Sequence, residues 1–312
     1  MRLLRVLLRP RVLVALALLS LAGHAGAQHA GYRTFIVAEE PPTTVALFYP
    51  TAVAARTVSM GPWQPVVAPG GAVAEGQFRG LILVSHGTGG SEFNHHNLAT
   101  RLARDGYLVA AVRHQGDNYQ DRSLVTSGRY FAERPRQLSR VLDALLASTE
   151  WGARIPAGRI GAVGHSAGGY SVLALAGGQA EPARAAQHCR AVQDDPGFCS
   201  LAKGPAGAES PGVQDASPAR VTSPEQRVSV SDGRIRAVVV LAPMAVVFTA
   251  ESLAAIKVPV RVMMAERDAA QRQVPRRTRG CQPAHGSSQH RGRRGALRLH
   301  GAIGNSAAFC GR

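Results

Sequence analysis

Six short apolar runs, nearly continuous and each bounded by turn residues, limit what this chain can fold into. They are Val45–Phe48 after a proline pair, Leu81–Val84 after a glycine-rich loop, Leu108–Val112 after Asp105-Gly106, Ile160–Val163 after Ala157-Gly158, Ala237–Leu241 and Val260–Met264. Runs of this kind, without polar alternation, predict parallel strands covered on both faces. Between them, residues 97–104 and 137–146 carry apolar side chains at helical spacing. Alternation of strand and helix predicts an α/β architecture with right-handed crossovers. The 312 residues suffice for a large core, and 45% hydrophobic against 18% charged residues excludes both a disordered chain and a polytopic membrane protein.

The formal net charge of +16 is distributed unevenly. Residues 1–27 hold four arginines and residues 269–312 nine, with no acid in either segment, which leaves +3 for residues 28–268. The folded body is therefore nearly neutral, and a nucleic-acid-binding body is not expected. At the N-terminus, Arg2, Arg5, Arg9 and Arg11 precede an apolar run over 12–22 and the small-residue pattern Ala25-Gly26-Ala27. That layout predicts a secretory signal peptide over 1–27 and an exported protein, periplasmic or secreted. An uncleaved anchor is the alternative, disfavoured because 11 residues are too few to span a bilayer. Four cysteines are too sparse for a disulfide scaffold. Export would permit pairing, with Cys189 and Cys199 the first candidates and Cys281 and Cys310 the second.

Two stretches break the rhythm of the body, which extends over 28–270. Residues 177–233 are rich in Gly, Pro, Ala, Ser and Asp, and read as a polar insertion, lid-like or mobile, where loops shape the mouth of an α/β site. Residues 271–312 are dense in arginine and read as a poorly ordered tail. A nucleic-acid-binding arm is the sharper reading of this tail, but aromatic residues are absent from its arginine run at 271–295. An altered reading frame near residue 270 is the plainer one.

The chemistry concentrates in two glycine-rich turns. Gly164-His165-Ser166-Ala167-Gly168-Gly169 is a G-x-S-x-G motif that directly follows the predicted strand at 160–163 and opens an apolar helix over 170–176. A sharp strand-to-helix turn exposes the serine hydroxyl, the flanking glycines permit the tight backbone, and the helix N-terminus favours developing negative charge. The competing reading is a glycine turn with an ordinary serine. Ser85-His86-Gly87-Thr88-Gly89-Gly90 follows the strand at 81–84 and lies 80 residues ahead of Ser166, counted from His86. It suits an oxyanion loop, with the amides of Thr88 and Ala167 as donors. A phosphate-binding loop is the alternative, weakened by the missing lysine and the wrong glycine spacing.

On LILVSHGTGGS (81–91), DGYLVAAVRHQGDN (105–118), RIGAVGHSAGGY (159–170), IRAVVVLAPMA (235–245) and VPVRVMMAERD (258–268), the chain resembles α/β-hydrolases of the secreted dienelactone-hydrolase-like group, itself similar to plasma-type platelet-activating-factor acetylhydrolases. The resemblance spans residues 35–268 with gaps at the insertion. It implies an α/β-hydrolase fold, a mostly parallel sheet with helices on both faces, and ester hydrolysis by a Ser/Asp/His triad without a cofactor. Ser166 matches the nucleophile. Asp268 matches an acid after the seventh strand, with Glu266 as runner-up, because Ala242-Pro243-Met244 supplies no carboxylate after the sixth. The family's histidine in a Gly-x-Gly-His-Phe setting has no counterpart, so the C-terminal strand and histidine region is atypical or lost. Of His285, His290 and His300, His300 follows the one apolar alternation of the tail and is the candidate base. His86, Gly87, Gly164, His165 and Gly168 support the two motifs. His86 and His114 read as structural, His95 and His96 as satisfied side chains near a helix start, and no metal site is expected.

These readings predict an exported serine hydrolase that cleaves a small-molecule carboxylic ester or lactone. The alternatives are a hydrolase-fold protein impaired by loss of its histidine, and a basic protein that binds anionic surfaces through its tail. No nucleic-acid partner and no stable membrane span are expected, and oligomeric state is left open.

Overall fold

The computed structural model describes residues 29–125, 127–192, 195, 198, 199 and 227–264. Strands β1 (His29–Val37), β2 (Thr43–Thr51), β3 (Arg56–Thr57), β4 (Val66–Pro69), β5 (Leu81–Ser85), β6 (Leu108–Val112), β7 (Ile160–His165), β10 (Ile235–Leu241) and β11 (Val260–Met263) form one sheet in the order β11-β10-β7-β5-β6-β2-β1-β4-β3. From β11 to β6 every pairing is parallel, and β2 runs antiparallel to both β6 and β1. This is a mostly parallel α/β sheet with the strand order of an α/β-hydrolase fold.

The two faces of the sheet follow from strand alternation. Leu81, Leu83, Leu108 and Ala110 point to one side, where helix α2 (Tyr130–Ala147) lays down Leu138, Val141, Leu142 and Leu145. Val84, Val109 and Ala111 point to the other, where helix α1 (His96–Arg104) packs Ala99 and Ala103. Each fully buried leucine contributes about 2 kcal/mol of transfer free energy. Helix α3 (Ala167–Leu175) is buried at all nine positions and joins the α2 side. A helix that is apolar all round belongs in an interior, not on a surface.

The connections explain where a site must form. From β5 the chain moves to β6 through α1, then returns across β5 to β7 through α2. Right-handed crossovers in opposite directions place α1 and α2 on opposite faces. The carboxyl ends of β5 and β7 therefore flank a switch point, the crevice where open α/β sheets bind ligands. The loop at 86–90 leaves one of these ends and the turn at Ser166 the other.

Elements that the sequence did not announce lie at the margins. Strand β1 mixes Gly31, Arg33 and Thr34 with apolar residues, so its pattern is diluted, and it is held by antiparallel pairing with β2. Within 177–233, read as a polar insertion, β8 (Gln179–Ala180) pairs with β9 (Val228–Ser229), and Ala183–Ala191 forms helix α4. The alanines of ARAAQHCRA are strong helix formers even without an amphipathic pattern. Cys189 and Cys199 are joined by a disulfide. The proposed leader, Cys281, Cys310 and the arginine-rich tail lie outside the described residues.

Pro135 lies inside α2 and has no amide hydrogen to donate to the carbonyl of Phe131 one turn earlier. The buried Tyr170 hydroxyl of α3 donates to that carbonyl instead. The helix tolerates its proline because a neighbour takes over the lost bond, and the same bond ties α2 to α3. Tyr170→Phe keeps the ring packing but strands the carbonyl. It is expected to lower unfolding free energy by about 1–3 kcal/mol, read as a lower urea midpoint at an unchanged slope.

Candidate active site

Ser166 stands between β7 and α3 at φ 52°, ψ −116°, a region that side chains other than glycine rarely adopt. Such strain persists only where the surroundings over-determine it. Here the Ser166 amide donates to Leu241 O at 3.0 Å, and its carbonyl accepts from Met244 N at 2.9 Å and Tyr170 N at 3.1 Å. The turn is thus pinned from β10, from the segment after it and from α3. The serine itself is only partly buried.

The two glycines of the motif are required by contact. A Cβ on Gly164 would fall 2.1 Å from Gly168 O, and a Cβ on Gly168 would fall 2.0 Å from Ser85 O. The elbow is folded tightly on itself, and the first turn of α3 lies on the backbone where β5 ends. A Cβ on Gly87 would stand 3.3 Å from Ser166 Cβ and 3.2 Å from His165 Nδ1, so the loop after β5 abuts the serine. His165, Ser166 and Gly168 thus meet His86 and Gly87 at one place, with Ala167 and Thr88 adjacent in sequence to these contacts. Among the described residues neither the Thr88 amide nor the Ala167 amide has a hydrogen-bond acceptor.

Behind this loop lies a polar network buried under the site. His86 Nδ1–H donates to Gly87 O at 2.7 Å, which leaves Nε2 to accept the His114 amide at 3.2 Å. His114 Nδ1–H donates to Gln137 Oε1 at 2.7 Å, and its Nε2 accepts the Ser85 hydroxyl at 2.7 Å. His86 is held neutral because its Nε2 faces a backbone donor. Burial, reinforced by the Arg134 cation, lowers the His86 pKa to about 3 and carries that of His114 well below the ordinary value.

Among the described residues Arg134 is the largest fully buried side chain, paired with the equally buried Asp117. Asp117 Oδ1 accepts the Gly89 amide at 2.8 Å, and Oδ2 accepts the Tyr130 hydroxyl at 3.1 Å. Because Tyr130 has a single O–H, its oxygen accepts from the Thr88 hydroxyl at 3.2 Å. Burial pushes the Tyr130 pKa up to about 12, so the phenol remains a donor. Sequence reasoning passed over Asp117, Tyr130 and Arg134. The signal was an arginine set four residues before Leu138 on the apolar stripe of α2, a charge where only a paired one survives.

His95 and His165 meet edge to face at 5.5 Å between ring centroids, close beside the elbow. His95 was expected to be satisfied. Among the described residues its Nε2 is instead buried with no hydrogen-bond partner. Burial, with the charges of His165 and His96, lowers its pKa to about 4. Asp268, Glu266 and His300 lie outside the described residues. Among those described, no group of three metal-ligating side chains occurs, and no helix is long and apolar enough to cross a membrane.

No family model matches the sequence, and no curated protein matches it. Among solved structures the chain is similar to the ferulic acid esterase from Streptomyces cinnamoneus, with a TM-score of 0.39 and 24% sequence identity. The alignment covers 49% of this chain and 56% of that one, so the chain spans little more than half the length of that structure.

Proposed function

We propose that this protein is an exported serine hydrolase of the dienelactone-hydrolase-like group, which cleaves a small carboxylic ester or lactone through an acyl-enzyme on Ser166. The observation that carries the reading is the backbone of Ser166, held at φ 52° on the turn between β7 and α3, with the Gly87 loop against it. An ordinary serine has no reason to occupy so costly a conformation, whereas a nucleophile that must project from the sheet does.

In this reading Ser166 Oγ attacks the substrate carbonyl while its proton passes to the base, for which His300, oriented by Asp268, is the candidate. The amides of Thr88 and Ala167 receive the oxyanion, and removing one such donor costs about 3–4 kcal/mol in the barrier. The alcohol leaves with the proton from the base, or stays tethered if the substrate is a lactone. Water then attacks the acyl group, gives its proton to the same base, and frees the acid and the serine. The basic leader over 1–27 and the Cys189–Cys199 disulfide support export to an oxidising compartment.

A fluorophosphonate probe tests the proposal. It is expected to label the full chain on the peptide that carries Ser166, read by mass spectrometry, with labelling slowed by a competing nitrophenyl ester. Labelling elsewhere, or none under conditions where the ester is hydrolysed, would overturn it.

A further inference from the structure

Arg134 reaches four elements at once. Its Nη2 donates to His86 O and to Ser85 Oγ at 3.4 Å, its Nε to Ser171 Oγ at 3.2 Å, and its Nη1 to Asp117. These acceptors belong to the end of β5, to the loop that follows it, to the second turn of α3 and to the loop after β6. Asp117 then holds Gly89 directly and Thr88 through the Tyr130 hydroxyl. The two candidate oxyanion donors come from separate pieces of chain, Thr88 from the loop and Ala167 from the start of α3. Arg134 is bonded to both pieces, and Tyr130 reaches the very residue whose amide would donate.

We propose that Arg134, Asp117 and Tyr130 are positioning residues, a buried clamp that sets the Thr88 amide against the Ala167 amide. This rests on the reading of Ser166 as the nucleophile. A purely structural pair would need nothing from the loop. Instead Asp117 takes one amide of the loop, Tyr130 the neighbouring hydroxyl, and Arg134 the carbonyl at its root. The loop is bonded at His86, Thr88 and Gly89, on either side of the amide in question. Arginine is suited to this because its planar fork offers several donors in fixed directions, which lysine does not.

Tyr130→Phe is the least disruptive test, since the ring still fills its place. With a nitrophenyl ester its kcat is expected to fall at least tenfold with KM within twofold of wild type, since oxyanion contacts act mainly in the transition state. Arg134→Lys should show the same split. Tyr49→Phe, which removes a different buried hydroxyl that bonds Gly71 O at 2.9 Å, is the control for lost stability alone and should leave kcat unchanged. Hydrogen exchange of the Gly89 amide, which Asp117 holds beside Tyr130, supplies a readout independent of turnover, and Tyr130→Phe should accelerate it at least tenfold. Wild-type exchange at the Gly89 amide in Tyr130→Phe, or a kcat equal to wild type, overturns the clamp. If the wild type is not labelled at Ser166, the functional reading fails, and the exchange result still decides whether the clamp holds the loop.

Discussion

Ser166→Ala is expected to abolish fluorophosphonate labelling and to lower kcat toward nitrophenyl esters by about 10⁴–10⁶-fold. What remains is the contribution of substrate binding and of the two amides, about 10³–10⁴ over water in enzymes of this type. Alanine retains Cβ and therefore retains the unfavourable φ of 52°. Glycine at the same position does not, and it keeps the amide and carbonyl bonds to Leu241, Met244 and Tyr170. Ser166→Gly should therefore be as inactive as alanine yet more stable than wild type by about 1–2 kcal/mol. Urea unfolding of the three proteins side by side reads both effects. Ser166→Gly less stable than wild type would show that the turn carries no strain that the nucleophile requires. Ser166→Ala with undiminished hydrolysis would remove this serine from the chemistry.

The runs of aliphatic residues at 81–84, 108–112 and 160–163 were legible as central strands because burial on both faces leaves no polar alternation, and β5, β6 and β7 lie within one or two residues of them. The elbow was legible because backbone crowding admits only glycine at 164 and 168, and a steric demand of that kind is written in the residue type itself. The clamp was not legible in the same way. Asp117, Tyr130 and Arg134 come from a loop and a helix 13–17 residues apart in sequence, and nothing local distinguishes a buried arginine from a surface one. Only the pairing reveals it, and pairing is a property of the folded chain. Helix α2 was underestimated at its start for a related reason. Pro135 ordinarily ends a helix, and the donor that rescues it, Tyr170, sits on α3.

Lowering the pH from 7 to 5 is expected to destabilise the protein by about 2 kcal/mol through His86, with His114 adding in the same direction. Both rings are neutral when folded, and both gain a proton near the ordinary value of about 6.5 when the chain unfolds. Between that value and the folded value, about 3 for His86, the unfolded state binds more protons, so stability falls as the pH falls. His86 contributes a slope of about 1.4 kcal/mol per pH unit, starting below about pH 6.5. The stability from neutral His86 is present in full above pH 6.5 and is lost progressively down to about pH 3. His95 adds in the same direction down to about pH 4. For His86, geometry demands this sign independently of burial, because a proton on its Nε2 would face the His114 amide hydrogen. Asp232, whose carboxyl is held low by Arg234 against the cost of its burial, loses its contribution only below the carboxylate range and does not compete in this window. Urea unfolding at half-unit steps from pH 7.5 to 4.5 measures the slope. His114→Asn should be less stable than wild type at pH 7 and should show a shallower pH slope. An identical slope in that variant, or a stability flat between pH 6.5 and 5, would mean that these rings accept protons inside the fold. The loop at 86–90 would then be held chiefly by its bonds to Asp117 and Tyr130.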